Sequence, residues 1–369
     1  MSFISSPMTS QSVTSEQRPV VITGGAGFIG ANLAARLMTS GERVVVFDKL
    51  HRQGAEANLK WLSKQFGDRL EIVIGDVCDS HALRKVIRRA AFVFHLAAQV
   101  AVTTSFDLPF ADFDVNARGT LNILESIREL PQSVPLVFTS TNKVYGALRH
   151  LSVTASDSRY VALNDLGEHA VLDESRPLDP ESPYGCSKAA ADQYVRDYAR
   201  CMGVPAIVFR MSCIYGPRQH GTEDQGWVAH VVRSVIEDRQ IVIYGDGRQV
   251  RDVLYIDDLV NAMLLARKHA SRLGGRAFNI GGGLANTLSI LELIRIVRDA
   301  FGAAPRFSFA DWRRGDQLYY VSDTRAFERE TGWRPATGVR DGMMRLARWL
   351  REDCGSSNGA ARLFGSERV

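Results

Sequence analysis

The chain has 369 residues, 45% hydrophobic and 23% charged, the balance of a soluble globular protein with ample core for one large or two ordinary domains. Its 45 Lys and Arg against 41 Asp and Glu leave a formal charge of only +4, which without a basic cluster argues against a nucleic-acid partner and suits a mildly positive cleft for a diphosphate. Nothing approaches the roughly 18 unbroken apolar residues of a membrane span, residues 1–17 lack the apolar centre of a secretory signal, and the five scattered cysteines (78, 186, 201, 213 and 354) have neither metal spacing nor a disulfide framework, so a cytoplasmic protein with no membrane partner and no metal is expected.

The first element is a strand. Val20, Val21 and Ile22 form a buried apolar run, and Ile29, Leu33 and Leu37 then recur at helical spacing. Between them lies Thr23-Gly24-Gly25-Ala26-Gly27-Phe28-Ile29-Gly30. Gly24 permits the turn, Gly27 lets a pyrophosphate approach the backbone, and Gly30 lets the helix pack on its strand. The helix start offers free N–H groups and a partial positive charge to phosphates.

A second strand, 44–47, ends in Asp48, whose carboxylate suits ribose hydroxyls and would repel the extra phosphate of NADP. NAD is therefore the expected cofactor, although Lys49 and Arg52 follow closely enough to soften that preference. The third strand, 70–74, ends in Gly75-Asp76-Val77, with Asp76 placed to face the adenine. Further strands end near His95 and Thr139, and a sixth buried run, 206–209, comes after a long helix. Such alternation predicts an α/β fold with a doubly wound parallel sheet (Rossmann). From about 211 the helical pieces shorten (228–236, 256–266, 288–300) and are broken by Gly245-Asp246-Gly247 and Gly281-Gly282-Gly283. The expected division is a mobile tail over 1–17, an NAD-binding domain over 18–210, a smaller α/β substrate domain making up most of 211–352, and a second mobile tail over 353–369. The polar stretch 147–180 is expected to be a lid over the ligand or a surface excursion.

The chemistry is expected at Tyr184-Gly185-Cys186-Ser187-Lys188, which opens the helical run 184–199. Tyr and Lys four apart lie on one helix face, and an ammonium beside a phenol favours the phenolate. Tyr184 would then take a proton from a sugar hydroxyl while hydride leaves the same carbon. Thr139-Ser140-Thr141 ends a strand at the side of the sheet where α/β folds bind ligands, which makes Thr141 the partner of the reacting hydroxyl.

Thr23 to Gly30, His95-Leu96-Ala97-Ala98, Thr139 to Gly146 and Tyr184 to Lys188 together resemble the extended short-chain dehydrogenase/reductase superfamily, and within it the nucleotide-sugar epimerases. The likeness covers about 18–350. Residues 48–62, Gln99-Val100-Ala101, Thr103-Thr104-Ser105, Ser140 to Gly146, Tyr184 to Tyr198 and Asp224-Gln225-Gly226-Trp227 are similar to the CDP-paratose (CDP-tyvelose) 2-epimerase subgroup. The resemblance implies a retained NAD held by Gly24, Gly27, Phe28, Ile29, Gly30, Asp48, Lys49, Asp76, Val77, Leu96, Ala97, Ala98, Gln99, Asn116, Thr139, Tyr184 and Lys188. It implies Thr141, Tyr184 and Lys188 as the catalytic set, with Asn116 orienting Lys188 through its helix. A sugar nucleotide (CDP-, UDP- or similar) would meet Thr103, Thr141, Asn142, Lys143, Cys213, Arg251 and Arg313, the two arginines at its diphosphate. Many relatives carry asparagine where this chain has Cys213, so contacts there must differ.

Most epimerases of this superfamily act at C4 of UDP-hexoses or UDP-hexuronates, whereas the subgroup resembled here acts at C2. A dehydratase on the same scaffold places an Asp-Glu pair directly after the catalytic Thr; here Asn142 and Lys143 stand there. A non-catalytic NAD sensor would usually lose the Tyr/Lys pair, and a net oxidoreductase would release NADH. Helical runs near 116–128 and 184–199 are expected to pair across a two-fold axis into a homodimer.

Overall fold

The computed structural model describes residues 18–302 and 305–355. Seven strands form one sheet in the order Ala277–Ile280, Ala206–Met211, Leu136–Thr141, Phe92–His95, Val20–Thr23, Val44–Asp48 and Leu70–Ile74. Every neighbouring pair is parallel. Helices cover both faces, so three of these strands bury every side chain and three more all but one, and they read as unbroken apolar runs rather than alternating ones. The edge strand Leu70–Ile74 is the exception: Ile72 and Ile74 are exposed. Strand order reverses between Val20–Thr23 and Phe92–His95, and the crevice at such a switch point is where doubly wound sheets bind ligands.

The expected doubly wound sheet is present, with one strand more than the sequence suggested. Ala277–Ile280 is only four residues long and lies among helices, yet it pairs with Ala206–Met211 as the outermost strand. The boundary at 210/211 is therefore not a clean cut, because the chain returns to the large sheet after building part of the second lobe. That lobe holds Cys213–Tyr215, Val250–Tyr255, Thr287–Ser289 and Tyr319–Tyr320 in one small sheet, and Ile241–Tyr244 with Phe307–Ala310 in another. The helix expected over 288–300 starts at Ile290, because Ser289 and Glu292 close a capping box and leave Leu288 in a strand.

The stretch 147–180 is neither a free lid nor a plain excursion. Its hairpin, Val153–Ala155 with Tyr160–Ala162, packs on the second lobe, where Arg159 pairs with Glu292 and Leu172 N–H donates to Val321 O at 2.9 Å. The tails expected at 1–17 and 353–369 lie outside the described residues, except for 353–355, which close the helix Val339–Gly355.

Candidate active site

The glycine-rich turn packs too tightly for side chains. Gly24 has φ of +71°, and a Cβ there would lie 2.7 Å from Ala97 N. A Cβ on Gly30 would lie 2.4 Å from Gly24 O and 2.6 Å from Gly25 Cα, so the helix Phe28–Thr39 seats on the turn only without one. Gly27 is the N-cap and supplies no side-chain cap. Ala26 N–H is taken by Asp48 and Gly27 N–H by Gly24 O, while the N–H groups of Phe28, Ile29 and Gly30 have no acceptor among the described residues. Three unpartnered donors at the positive end of a helix dipole fit a pyrophosphate.

Asp48 also has a structural part. Its two oxygens accept from Ala26 N at 3.0 Å and Leu50 N at 2.8 Å, tying the second strand's tip to the glycine-rich turn. Lys49 is paired with Asp76 at 3.2 Å. Burial works against ionisation of Asp76, but the Cys78 N–H and Lys49 outweigh it and hold the carboxyl below its usual range. Val77 is buried against Gly119. Leu96, Ala97, Ala98 and Gln99 come directly after the strand Phe92–His95, where Leu96 N–H donates to Thr23 O at 3.0 Å and Gln99 N–H to Asn116 Oδ1 at 3.0 Å. Thr139 turns its hydroxyl back onto His95 O at 3.2 Å.

Thr141, Tyr184 and Lys188 are all buried and converge at the carboxyl end of the sheet. The helix Pro183–Cys201 is set by Ser182, whose hydroxyl accepts Gly185 N–H at 3.0 Å, with Pro183 in its first turn. The Thr141 hydroxyl accepts Lys143 N–H at 3.3 Å and lies close enough to the Tyr184 phenol to favour its ionised form. Lys188 Nζ lies 4.1 Å from the centroid of the Phe138 ring.

The protonation states differ from the sequence expectation, in which Lys188 acidifies Tyr184. Burial pushes the Tyr184 phenol up to about 12; Thr141 and Arg52 oppose this, and Asp112 adds to it. Lys188 itself is pushed down to about 7 by burial, against the pull of Asp112 and Asp192. The reason is shared desolvation, which disfavours both charged forms at once.

Lys143 and Arg251 converge on Asp316. Arg251 Nη2 reaches Asp316 Oδ1 at 2.9 Å and Lys143 Nζ reaches the same oxygen at 3.7 Å. Burial lowers Lys143 to about 8 in spite of Asp316. Asn142 Nδ2 lies 3.4 Å from Gln317 Oε1. Where many relatives carry asparagine, burial pushes the Cys213 thiol up, with Arg251 and Trp227 opposing. Thr103 Oγ1 is buried with no partner, a polar atom that fits a ligand hydroxyl. Arg313 is held at 3.3 Å by both Glu223 and Asp224, with its guanidinium 3.8 Å from the Tyr244 ring centroid, so the two expected diphosphate arginines each have a carboxylate of their own.

Sequence reasoning missed Asp316, Gln317, Asp112 and Ser187, and weighed Arg52 only as a cofactor residue although its charge reaches Tyr184 and Asp224. Ser187 lies inside Tyr184-Gly185-Cys186-Ser187-Lys188 and Asp316 three residues after Arg313; nothing local marked Asp112.

The NAD dependent epimerase/dehydratase family model matches residues 20–281. The chain is 40% identical over 337 residues to a CDP-paratose 2-epimerase of Salmonella typhi, covering 89% of this chain and 98% of that one. Among solved structures it is similar to a dTDP-glucose 4,6-dehydratase of Streptomyces venezuelae with NAD bound (TM-score 0.78, 31% identity, 93% of this chain and 99% of that one). It is also similar to a UDP-glucuronic acid 4-epimerase of Bacillus cereus in complex with UDP-glucuronic acid and NAD (TM-score 0.77, 25% identity, 90% and 99%).

Proposed function

The chain belongs to the NAD dependent epimerase/dehydratase family and is an NAD-dependent nucleotide-sugar epimerase, and we propose that it inverts C2 of a CDP-linked sugar. The observation that carries this reading is the pair of residues directly after Thr141. Asn142 and Lys143 occupy those two positions, with Lys143 committed to Asp316 and Gly315 O, so no acid and base stand ready to eliminate water there. The whole-length likeness to a CDP-paratose 2-epimerase supports C2 over C4.

The cradle at 24–30, Asp48, Asp76 and the 96–99 loop would hold the cofactor. When bound, NAD supplies the hydride acceptor and, in its oxidised form, a positive charge that offsets the burial of Tyr184. Tyr184 then takes the proton of the sugar hydroxyl, and Thr141, buried beside it, orients that hydroxyl. Lys188 keeps a positive charge on the same helix face, four residues on. The ketose would turn over within the pocket, and Tyr184 would give the proton back to its oxygen when the carbonyl is reduced from the other face. Arg251 and Lys143, partly neutralised by Asp316, anchor the diphosphate so that the sugar alone moves.

The active form is proposed as a homodimer. Phe106, Leu108, Phe110, Phe113 and Tyr194 are exposed on the helices flanking the catalytic one and on that helix itself, with Phe110 86% exposed. Incubation of the purified protein with CDP-, UDP- and dTDP-sugars, without added NAD, tests the reading. Interconversion of a CDP-sugar and its C2 epimer is expected; loss of water, net NADH formation, or turnover confined to C4 would overturn it.

A further inference from the structure

Asp112 is a carboxylate with no exposed surface that the chemistry above does not use. It sits on Pro109–Phe113, just before a π-helical turn at Asp114–Arg118 that carries Asn116. Its Oδ2 accepts the Ser187 hydroxyl, and its Oδ1 accepts Asn116 Nδ2 at 3.2 Å. Ser187 immediately precedes Lys188. Asn116 Nδ2 also lies 3.1 Å from Gln99 O and 3.1 Å from Ser187 Oγ, so its two protons serve three acceptors. Ser187 has one proton and two candidate acceptors, Asp112 and Tyr184 O at 3.1 Å. With Asp112 ionised, that proton goes to Asp112; with Asp112 protonated, the carboxyl donates to Ser187 and Ser187 turns to the Tyr184 carbonyl.

The other charges around Lys188 are already matched. Asp192, on its own helix, is held by both Arg210 Nε at 2.8 Å and Nη2 at 3.0 Å. His95, from the neighbouring strand, lies between Thr23 and Thr120 and is driven by burial to about 3, so it stays neutral. Phe138 offers only its ring. Near Asp112 are Tyr184, Lys188 and the Cys186 thiol; Arg52 acts on Tyr184 and not on Asp112; Asp114 and Arg118 pair with each other and are solvent-accessible. Asp112 has no ion-pair partner within 4.0 Å among the described residues, which leaves Lys188 as the one cation it supports.

We propose that Asp112 is a positioning residue of the catalytic set, which ties Ser187 of the catalytic helix to Asn116 and supplies the negative charge that keeps Lys188 an ammonium. This rests on the reading of Tyr184 and Lys188 as the reacting machinery. A buried charge a few ångströms away typically moves a neighbour's titration by about 1–3 pH units.

The test compares Asp112→Asn with Asp112→Glu and the parent protein. In Asp112→Asn the alkaline limb of kcat, where Lys188 loses its proton, should move about one pH unit lower, so that turnover at high pH falls about tenfold while the acid side changes less. Asp112→Glu keeps the charge and should keep the limb in place whatever it does to kcat. In parallel, acylation of Lys188 by a small amine-reactive reagent, followed by peptide mass spectrometry against pH, should begin about one unit lower in Asp112→Asn. That readout needs no substrate, so it stands even if no sugar nucleotide is turned over. Should Asp112→Asn not fold, Ser187→Ala, which leaves the carboxylate short of a donor and easier to protonate, must move both readouts the same way. Unmoved limbs and labelling curves, or a loss of activity uniform in pH, would overturn the proposal.

Discussion

Replacing Gly30 by alanine tests the cofactor cradle most directly. The new Cβ would lie 2.4 Å from Gly24 O, 2.6 Å from Gly25 Cα and 2.9 Å from Gly25 C, all of them backbone atoms that cannot swing aside. Ordinary contact needs about 3.4 Å, so the first turn of Phe28–Thr39 must lift by roughly 1 Å. That loosens a helix whose Ala31, Leu33, Ala34, Leu37 and Met38 are buried under the sheet. Overpacking costs about 1–3 kcal/mol, and the better helix propensity of alanine returns about 1 kcal/mol, so a net loss of about 0–2 kcal/mol is expected. NAD should suffer more. A 1 Å shift spoils the free N–H donors at the helix start, each worth about 1.5–3 kcal/mol to a phosphate, so affinity should fall roughly 10- to 100-fold. Gly27→Ala, whose Cβ would meet only Gly24 O at 3.2 Å, should lose NAD with little loss of stability. Gly41→Ala, at φ of +91° with open space around it, should cost about 1–2 kcal/mol and leave NAD binding alone. Thermal unfolding with and without NAD, together with NAD titration of stripped protein, separates the three. If Gly30→Ala and Gly27→Ala bound NAD within twofold of the parent, the glycine-rich turn would not be the seat of the pyrophosphate.

Tyr184→Phe should lower turnover by about 10²–10⁴-fold yet leave sugar-nucleotide binding nearly intact; equal losses in both, read from steady-state kinetics and calorimetry, would count against the proton-transfer role. Asp48→Ala should weaken NAD and narrow its preference over NADP, and it should also loosen the turn that Asp48 holds through Ala26, seen as a lower melting temperature without cofactor. Lys143 is lowered to about 8 by burial, so its ammonium is present below that pH and lost above it. KM for the sugar nucleotide should therefore rise as pH passes through 8, and Lys143→Met should flatten that rise; a parent KM independent of pH would remove Lys143 from the diphosphate. Phe110→Asp places a charge at the centre of the exposed aromatic face and should shift the protein to monomer in light scattering, while an unchanged mass would place the dimer contact elsewhere.

The legible parts of the sequence were those whose signal is local. The glycine spacing at 24, 27 and 30, the apolar run before it and Asp48 after the next strand specify a strand–turn–helix that has few other uses. Tyr184 and Lys188 fall on one helix face whatever the fold around them. The strand Ala277–Ile280 was not legible, because four residues before a glycine run do not distinguish a strand from a helix end. The role of 147–180 was not legible either, since its docking depends on Arg159 meeting Glu292, 133 residues away.

By itself the sequence determined the backbone geometry of the glycine-rich turn, the parallel sheet and the placement of Tyr184 and Lys188 on one helix face, since each is set by local spacing and pattern. Tertiary structure alone decided how those side chains are charged. The same burial that raises Tyr184 lowers Lys188; Arg52 opposes the first shift and Asp112 the second, and both reach the site from other stretches of the chain. Charge acts through space, and only folding sets those distances.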